Sequence, residues 1–407
     1  MSTRSRIPAE DGVTTPALVV PAVGAEDALS ARVATRIDLR SPREFAEDHL
    51  PGAFNVPLFD DLERALIGTL YRRSSPQDAF EEGVHRTREK VAALVGALSS
   101  ACGWECPSVD LARLVSEIAG GSVVGLQRRL EERPGPLPDD AVVLNCWRGG
   151  MRSSSVVALL RRLGLERAVV LKGGYKAYRT QVRAELDAFR VDRSFVLRGL
   201  TGVGKTLVLR ALEEVRPGWT IDLEGAAGHR SSILGMVGLE PVTQKAFDSA
   251  LAERVRAGFP ADLAVFEGES RKVGDVTVPD ALWRELRTGT PLELVASTAR
   301  RVAHLTADYL ATEDNRAPLA RQLPFIEERL GANKWRGVLV DLLERGRDAE
   351  LVEILLRDYY DPLYEHSEKR FLAERAAAGL PAYAARFEVE DPQAAARAIV
   401  AWIEARD

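Results

Sequence analysis

A cysteine at the end of an apolar run is the first feature of this sequence that can do chemistry. Cys146 is followed within six residues by Arg148, Arg152 and two glycines, and a helical pattern comes next. A strand, a tight loop and a helix in that order point backbone N–H groups and the positive helix end at the sulfur, and the arginines add full charges. Such surroundings favour the thiolate, which suits transfer of sulfur, selenium or phosphate. The alternative is a structural cysteine buried at a strand end.

A glycine-rich segment provides a second candidate site. Residues 199–206 read Gly-Leu-Thr-Gly-Val-Gly-Lys-Thr and match the phosphate-loop pattern, with an apolar run before them and a helical pattern after them. Such a loop turns backbone amides onto phosphate oxygens, while its lysine adds a charge and its last residue can hold a magnesium ion. The predicted phosphate-binding residues are Gly199, Thr201, Gly202, Gly204, Lys205 and Thr206.

Acidic residues stand at the ends of two apolar runs downstream. Glu267 and Glu269 end one run, with Arg271 two residues further on, and Asp222 and Glu224 end another. In phosphate-loop proteins a carboxylate at such a strand end supports the metal or orients a nucleophile. We predict that these five residues support the phosphate loop, with solvated strand-end acids as the alternative.

The elements that must position these residues indicate an α/β protein. Short β-branched runs at 33–39, 141–145 and 168–171 alternate with helical patterns, which predicts a parallel sheet with helices on both faces. A new apolar run at 194–198 opens a second α/β unit, and the polar segment 185–193 before it reads as a connection.

The predicted domain boundary therefore lies near residue 190. The first domain, 1–190, contains a helical insertion at about 76–140, with helices over 82–98 and 109–132. The second domain, 191–407, ends in a mostly helical region. A run at 17–23 has acids before it and a proline within it, so we predict a first strand and no secretory signal.

Composition excludes several classes of protein. The 407 residues are 46% hydrophobic and 28% charged, which is typical of a globular protein and unlike a disordered, collagenous or coiled-coil chain. No apolar stretch is long enough to cross a bilayer. Three cysteines and five histidines lack the spacing of a zinc site or a disulfide framework, so we expect no structural metal and a cytoplasmic location.

The cysteine loop resembles that of the rhodanese (sulfurtransferase) family, in the variant that reads Cys-x-x-Gly-x-x-Arg. A second rhodanese signature stands upstream, at 38–45 (Asp-Leu-Arg-Ser-Pro-Arg-Glu-Phe) and 49–57 (His-Leu-Pro-Gly-Ala-Phe-Asn-Val-Pro). The resemblance implies a rhodanese-like first domain in which Cys146, Arg148 and Arg152 are catalytic.

A rhodanese-like domain followed by a phosphate-loop domain is similar to the bacterial tRNA 2-selenouridine synthase family. Further family-like segments stand at 222–230, 244–247, 267–274 and 359–364. The resemblance implies a transferase that attaches a geranyl group from geranyl diphosphate to wobble 2-thiouridine in tRNA. It then implies replacement of the S-geranyl group by selenium from selenophosphate, which a partner enzyme would supply.

The charge distribution allows a tRNA partner although the formal net charge is −5. Residues 146–183 contain nine arginines and lysines but only one acidic residue, Glu166. We predict that this strip grips tRNA phosphates, with solvated helix faces as the alternative. Tyr175 and Tyr178 are candidates for base stacking or for core packing. The candidate tRNA-binding residues are Arg161, Arg162, Lys172, Lys176 and Arg179.

Two other functions compete with this interpretation. One is a sulfurtransferase coupled to an ATP-hydrolysing phosphate-loop domain, and the other is a non-catalytic scaffold that binds anions. The interpretation as a whole requires that Cys146 is not sealed in the interior and that residues 199–206 can enclose an oxyanion.

Overall fold

The structure is a computed structural model that describes residues 16–310 and 312–406. The chain divides into two compact units, Met1–Gln181 and Val182–Asp407. The predicted α/β class with parallel sheets is confirmed. The segment expected to connect the domains begins inside a helix, Gly174–Asp187, because its apolar residues Val182 and Leu186 are buried.

The described residues of the first unit contain six strands and eight helices, and the last helix, Gly174–Asp187, continues past the end of the unit at Gln181. The strands are β1 (Leu18–Val23), β2 (Val33–Asp38), β3 (Ala53–Asn55), β4 (Leu130–Pro134), β5 (Ala141–Asn145) and β6 (Ala168–Leu171). The helices are α1 (Ala25–Leu29), α2 (Pro42–Glu47), α3 (Asp61–Arg73), α4 (Pro76–Cys102), α5 (Leu111–Ala119), α6 (Val123–Arg129), α7 (Met151–Arg162) and α8 (Gly174–Asp187).

All six strands form one parallel sheet in the order β3-β2-β5-β6-β1-β4. Strand β5 lies inside the sheet and every residue in it is buried, as its uninterrupted apolar sequence requires. The loop that carries Cys146 therefore begins at the carboxyl end of an interior strand. The prediction of helix through residue 132 is wrong, since α6 ends at Arg129 and β4 pairs with β1 from Leu130.

Within residues 182–310 and 312–406, the second unit contains seven strands and ten α-helices. The strands are β7 (Arg193–Arg198), β8 (Thr220–Ile221), β9 (Leu263–Glu267), β10 (Lys272–Val273), β11 (Val276–Thr277), β12 (Thr290–Val295) and β13 (Ala385–Glu388). The helices are α9 (Lys205–Val215), α10 (Leu223–Ala227), α11 (Gln244–Arg256), α12 (Asp280–Thr288), α13 (Thr298–Tyr309), α14 (Arg316–Trp335), α15 (Val338–Glu344), α16 (Asp348–Ile354), α17 (Asp361–Ala377) and α18 (Pro392–Glu404). Residues Leu355–Tyr360 between α16 and α17 form a π-helix.

Five strands of this unit form a parallel sheet in the order β13-β12-β7-β9-β8. Strand β7 pairs with β9 on one side and with β12 on the other, so residues 199–206 follow a central strand. Strands β8 and β9 end beside it, which brings Glu224 and Glu267 to the same edge as the glycine-rich loop. In parallel sheets this carboxyl edge is where ligands bind.

Among the described residues, no helix is long and apolar enough to cross a membrane.

Candidate functional sites

The cysteine loop joins the end of β5 to the first turn of α7. The Cys146 sulfur lies 3.2 Å from the hydroxyl of Ser153 and close to the backbone N–H groups of Gly150 and Ser153. Burial alone would raise the pKa of the Cys146 thiol. The charge of Arg152, the Ser153 hydroxyl and the two backbone N–H groups outweigh burial, so the pKa falls below its usual value. This is the thiolate-stabilising cradle that the sequence predicts.

The sulfur in this cradle is closed to solvent. Only 2% of Cys146 is exposed, whereas Arg148 on the loop is exposed and Arg152 is half-buried. The requirement that Cys146 not be sealed in the interior is therefore not met in this conformation. The thiol lies beneath its loop because Cys146 directly follows β5, an interior strand whose residues are all buried. Any reaction at the sulfur needs the segment 147–150 to move.

A close backbone crossing fixes the shape of the cysteine loop. The N–H groups of Tyr175 and Lys176 donate to the carbonyls of Cys146 (2.9 Å) and Trp147 (3.0 Å). Gly149 has a φ of +58°, and a Cβ there would lie 2.5 Å from the backbone nitrogen of Gly174. Glycine is therefore required at residue 149 on grounds of both conformation and space.

The upstream signature builds a buried charge network that supports this crossing. The Arg40 guanidinium pairs with Asp38 at 2.6 Å, and both side chains are fully buried. Arg40 also stacks on the ring of Tyr175, 3.7 Å from its centroid. The Tyr175 hydroxyl donates to Asp48 at 2.7 Å, and Arg179 pairs with Asp48 at 3.4 Å. The network thus links residues 38–48 to the helix that holds the loop.

The phosphate loop has the backbone conformation that its glycines allow. Gly199, Gly202 and Gly204 have φ values of +152°, +77° and +92°. A Cβ on Gly199 would lie 2.4 Å from the Leu294 carbonyl oxygen, so the loop packs directly on β12. The Lys205 ammonium donates to the Gly199 carbonyl at 3.3 Å and thus arches over the loop. Helix α9 begins at Lys205 and directs its free N–H groups at the same space.

Three carboxylates gather beside the last residue of this loop. Glu224, Glu267 and Glu269 each place an oxygen within 4.8 Å of the others. The Thr206 hydroxyl lies 2.9 Å from Glu267 and 3.2 Å from Glu224. Burial, followed by the neighbouring acids Glu224, Glu269 and Asp222, raises the pKa of Glu267 well above its usual value. Burial and Glu269 raise the pKa of Glu224 to about 7.

Two of the five predicted supporting residues lie outside this cluster. Arg271 is exposed and pairs with Asp280 at the start of α12. Asp222 caps α10 by accepting from the N–H of Gly225, at 2.6 Å, and acts on the cluster only through its charge. For Arg271 the prediction is wrong, because β9 ends at Glu267 and the chain has turned outward four residues later.

Sequence reasoning missed the residues that hold the phosphate loop from behind. Arg301 on α13 donates to the Thr201 carbonyl at 2.8 Å and forms a two-point ion pair with Asp361 at 3.0 and 2.5 Å. His304 places Nδ1 3.0 Å from the Gly202 carbonyl. Asp361 directly follows the π-helix and lies in the family-like segment 359–364, which was the only signal available.

The basic strip is partly structural. Arg179 is 6% exposed and pairs with Asp48, so its assignment to tRNA is wrong. Tyr175 and Tyr178 are buried as core residues. Arg161 donates to the carbonyls of Glu166 and Ala168. Three of the candidates are exposed, namely Arg162, Lys172 and Lys176.

Fold and sites together define a two-unit α/β protein. One unit holds a cysteine in a loop beside an arginine and backbone N–H groups, and the other holds a phosphate loop with a carboxylate cluster. The family model described as "tRNA 2-selenouridine synthase AAA domain" matches residues 192–383.

Relatives that match most of the chain indicate the same family. A tRNA 2-selenouridine synthase of Cupriavidus necator is 34% identical over 84% of this chain and 92% of its own length. That of Cupriavidus pinatubonensis is 32% identical over 84% and 92%, and that of Bordetella petrii 31% over 89% and 94%. The chain belongs to the tRNA 2-selenouridine synthase family, a family of tRNA-modifying enzymes. A solved N-terminal domain of a putative ATP/GTP binding protein from Clostridium difficile 630 is 28% identical and covers 40% of this chain and 98% of that chain, with a TM-score of 0.28.

Proposed function

We propose that this protein converts wobble 2-thiouridine in tRNA to 2-selenouridine in two steps. In the first, the thiouridine sulfur attacks C1 of geranyl diphosphate, the C–O bond breaks and diphosphate leaves. In the second, selenium from selenophosphate attacks C2 of the base, the C–S bond breaks and geranylthiol leaves with a proton. Water takes the phosphoryl group from selenium as phosphate.

The phosphate loop supports the first step. Diphosphate gains negative charge as it leaves, and the amides of residues 199–204 with the Lys205 ammonium are placed to stabilise it. Arg301 and His304 hold two carbonyls of this loop, which keeps the amides aimed inward. The residues therefore bind and orient a leaving diphosphate.

The carboxylate cluster is suited to a magnesium ion. Glu224, Glu267, Glu269 and the Thr206 hydroxyl offer only oxygen ligands, which is the set that magnesium prefers. Without a cation, burial and mutual repulsion keep the pKa values of Glu224 and Glu267 raised. A bound magnesium ion would neutralise charge on the diphosphate, while Glu267 and Thr206 hold it in place.

The cysteine loop supports the second step. Its lowered thiol pKa and the charge of Arg152 favour an anion at or beside the sulfur, which suits selenophosphate binding or covalent carriage of selenium on Cys146. Because the sulfur is buried, the loop must open for either role. Lys176, whose backbone N–H takes part in the crossing at this loop, has an exposed side chain, and it is a candidate to hold a tRNA phosphate together with Arg162 and Lys172.

The observation that carries this proposal is the presence, in one chain, of a cationic thiolate cradle and a phosphate loop backed by acids. The decisive experiment is nucleoside analysis of tRNA incubated with the protein, geranyl diphosphate and selenophosphate, each omitted in turn. We expect S-geranyl-2-thiouridine without selenophosphate and unchanged 2-thiouridine without geranyl diphosphate. Selenium incorporation that is independent of geranyl diphosphate, or that requires ATP, would contradict the proposal and favour an ATP-coupled sulfurtransferase.

A further inference from the structure

The first unit contains a large apolar cavity, partly open to solvent, beside the cysteine loop. Its volume is about 750 Å³, within the range of roughly 300–1,000 Å³ typical of ligand sites. Five helices, α3 to α7, provide its walls, and aliphatic and aromatic side chains dominate them. Representative lining residues are Ile67, Phe80, Val84, Ile118, Leu126 and Leu159. An apolar space of this size, partly open to solvent, can accept an apolar ligand.

The charged residues of this cavity are Arg64 and Arg72 on α3, Arg148 on the cysteine loop and Arg152 at the start of α7. Arg148 and Arg152 line it, and Arg152 also lowers the pKa of the Cys146 thiol. Neither arginine has an acidic partner within ion-pair distance in the part of the chain that the structure describes. The cavity therefore combines an apolar body with a cationic end next to the proposed selenium chemistry.

Helix α3 supports the view that this space accepts a ligand. None of its residues is buried, and its apolar side chains Leu62 and Leu66 are 83% and 42% exposed. Gly68 on this helix lines the cavity, and a Cβ built there meets nothing within 4 Å. The space beside Gly68 on α3 is therefore empty, and a ligand chain would fill it.

We propose that this cavity holds the ten-carbon prenyl chain of the S-geranyl wobble nucleoside during its exchange for selenium. The inference rests on the proposed function, and it assigns the chain to the cysteine unit, where the leaving geranylthiol forms. An apolar chain with a polar nucleoside at one end fits an apolar space with arginines at one end. The occupant is the S-linked chain rather than that of free geranyl diphosphate, because the polar end adjoins Cys146.

Binding to a series of tRNA anticodon oligonucleotides tests the assignment directly. The wobble sulfur carries methyl, dimethylallyl or geranyl, and affinity for the full-length protein is measured by titration. Each buried methylene adds roughly fourfold in affinity, so burying only four of the nine additional carbons of the geranyl form should make it bind about 250-fold more tightly than the methyl form. Gly68→Phe fills the space and should abolish that preference. Gly96→Phe is the matched control, because Gly96 lies on the exposed side of α4 with nothing within 4 Å.

Photolabelling keeps the test valid even if Gly68→Phe does not fold. A diazirine placed on the geranyl chain of the oligonucleotide should label wild-type peptides within 58–87 and 115–126. Labelling confined to the phosphate-loop unit would overturn the inference, as would an unchanged preference in a folded Gly68→Phe protein. The inference would also be overturned if the Gly68→Phe protein lost geranylation but still selenated tRNA that had been geranylated beforehand. The proposed function is tested apart from this, because wild-type protein that forms no 2-selenouridine from geranylated tRNA and selenophosphate would contradict the proposed function whatever the cavity holds.

Discussion

Replacing Glu224 by glutamine should stabilise the phosphate-loop unit at high pH and remove its response to magnesium. The folded pKa of Glu224 is about 7, against an ordinary value of 4.5, because the carboxyl is buried beside Glu269. The folded state therefore holds a proton that the unfolded chain has already released. This contribution to stability is complete below about pH 4.5 and is lost as the pH rises through 7.

The size of the effect follows from that shift. A difference of roughly 2.5 pKa units corresponds to about 3 kcal/mol of stability lost between pH 4.5 and pH 8. Glutamine keeps an oxygen that can accept from the Ser231 N–H, which donates to Glu224 at 3.0 Å, but carries no charge. Glu224→Gln should thus match wild type near pH 4.5 and exceed it by up to about 3 kcal/mol at pH 8.

Hydrogen exchange of peptides from β8 and β9 measures this, since it reports on unfolding of the second unit alone. At pH 8, magnesium should slow exchange in wild type and have much less effect in Glu224→Gln. Glu240→Gln, an exposed change in the same unit, serves as the control and should follow wild type. Equal stability of Glu224→Gln and wild type at pH 8, or an equal difference at every pH, would refute the reasoning.

Three further predictions concern the two loops. Cys146→Ser should block selenium incorporation and leave geranylation in place, whereas Lys205→Ala should impair both; mass spectrometry of wobble nucleosides would expose the opposite pattern. Arg152→Ala should raise the pKa of the Cys146 thiol, because the charge of Arg152 is the strongest of the influences that lower it. The pH midpoint of iodoacetamide labelling of Cys146 should therefore move upward. An unchanged midpoint would contradict the role given to Arg152. Gly149→Ala should reduce the stability of the first unit by ~1–3 kcal/mol, because residue 149 has a φ of +58° and its Cβ would lie 2.5 Å from the facing backbone. Gly150→Ala should have almost no effect, since a Cβ there meets nothing within 4 Å. Thermal unfolding of the two variants measures the difference.

Local sequence was enough to predict the interior strands and both loops. Strands β5, β6 and β9 are short apolar runs, and each is fully buried because parallel strands inside a sheet are covered on both faces. The glycine positions of the phosphate loop follow from backbone geometry, which is a local property. The edge strand β4 could not be predicted in this way. Its sequence, Leu-Glu-Glu-Arg-Pro, is charged, and only pairing with β1 makes it a strand.

Properties that depend on distant residues were not accessible from the sequence. Arg179 lies in a strip of positive charge, yet Asp48, 131 residues earlier, draws it into the core. Arg301 and Asp361 are 60 residues apart, and no spacing rule links either to the phosphate loop. The cavity has no local signal at all, because five helices each supply part of its wall.

The two sites differ in how they treat negative charge, and this difference argues for separate roles. The cysteine cradle gathers an arginine and backbone N–H groups around one thiol, so an anion is stabilised there by the protein alone. The phosphate loop faces three acids, and burial followed by the neighbouring acids raises the pKa values of two of them, Glu224 and Glu267, so an anionic ligand there needs a cation as well. A leaving diphosphate arrives with magnesium in its usual form, whereas a selenium donor beside a thiolate needs positive charge that is already in place. The electrostatics of the described residues therefore match diphosphate chemistry to the second unit and selenium chemistry to the first.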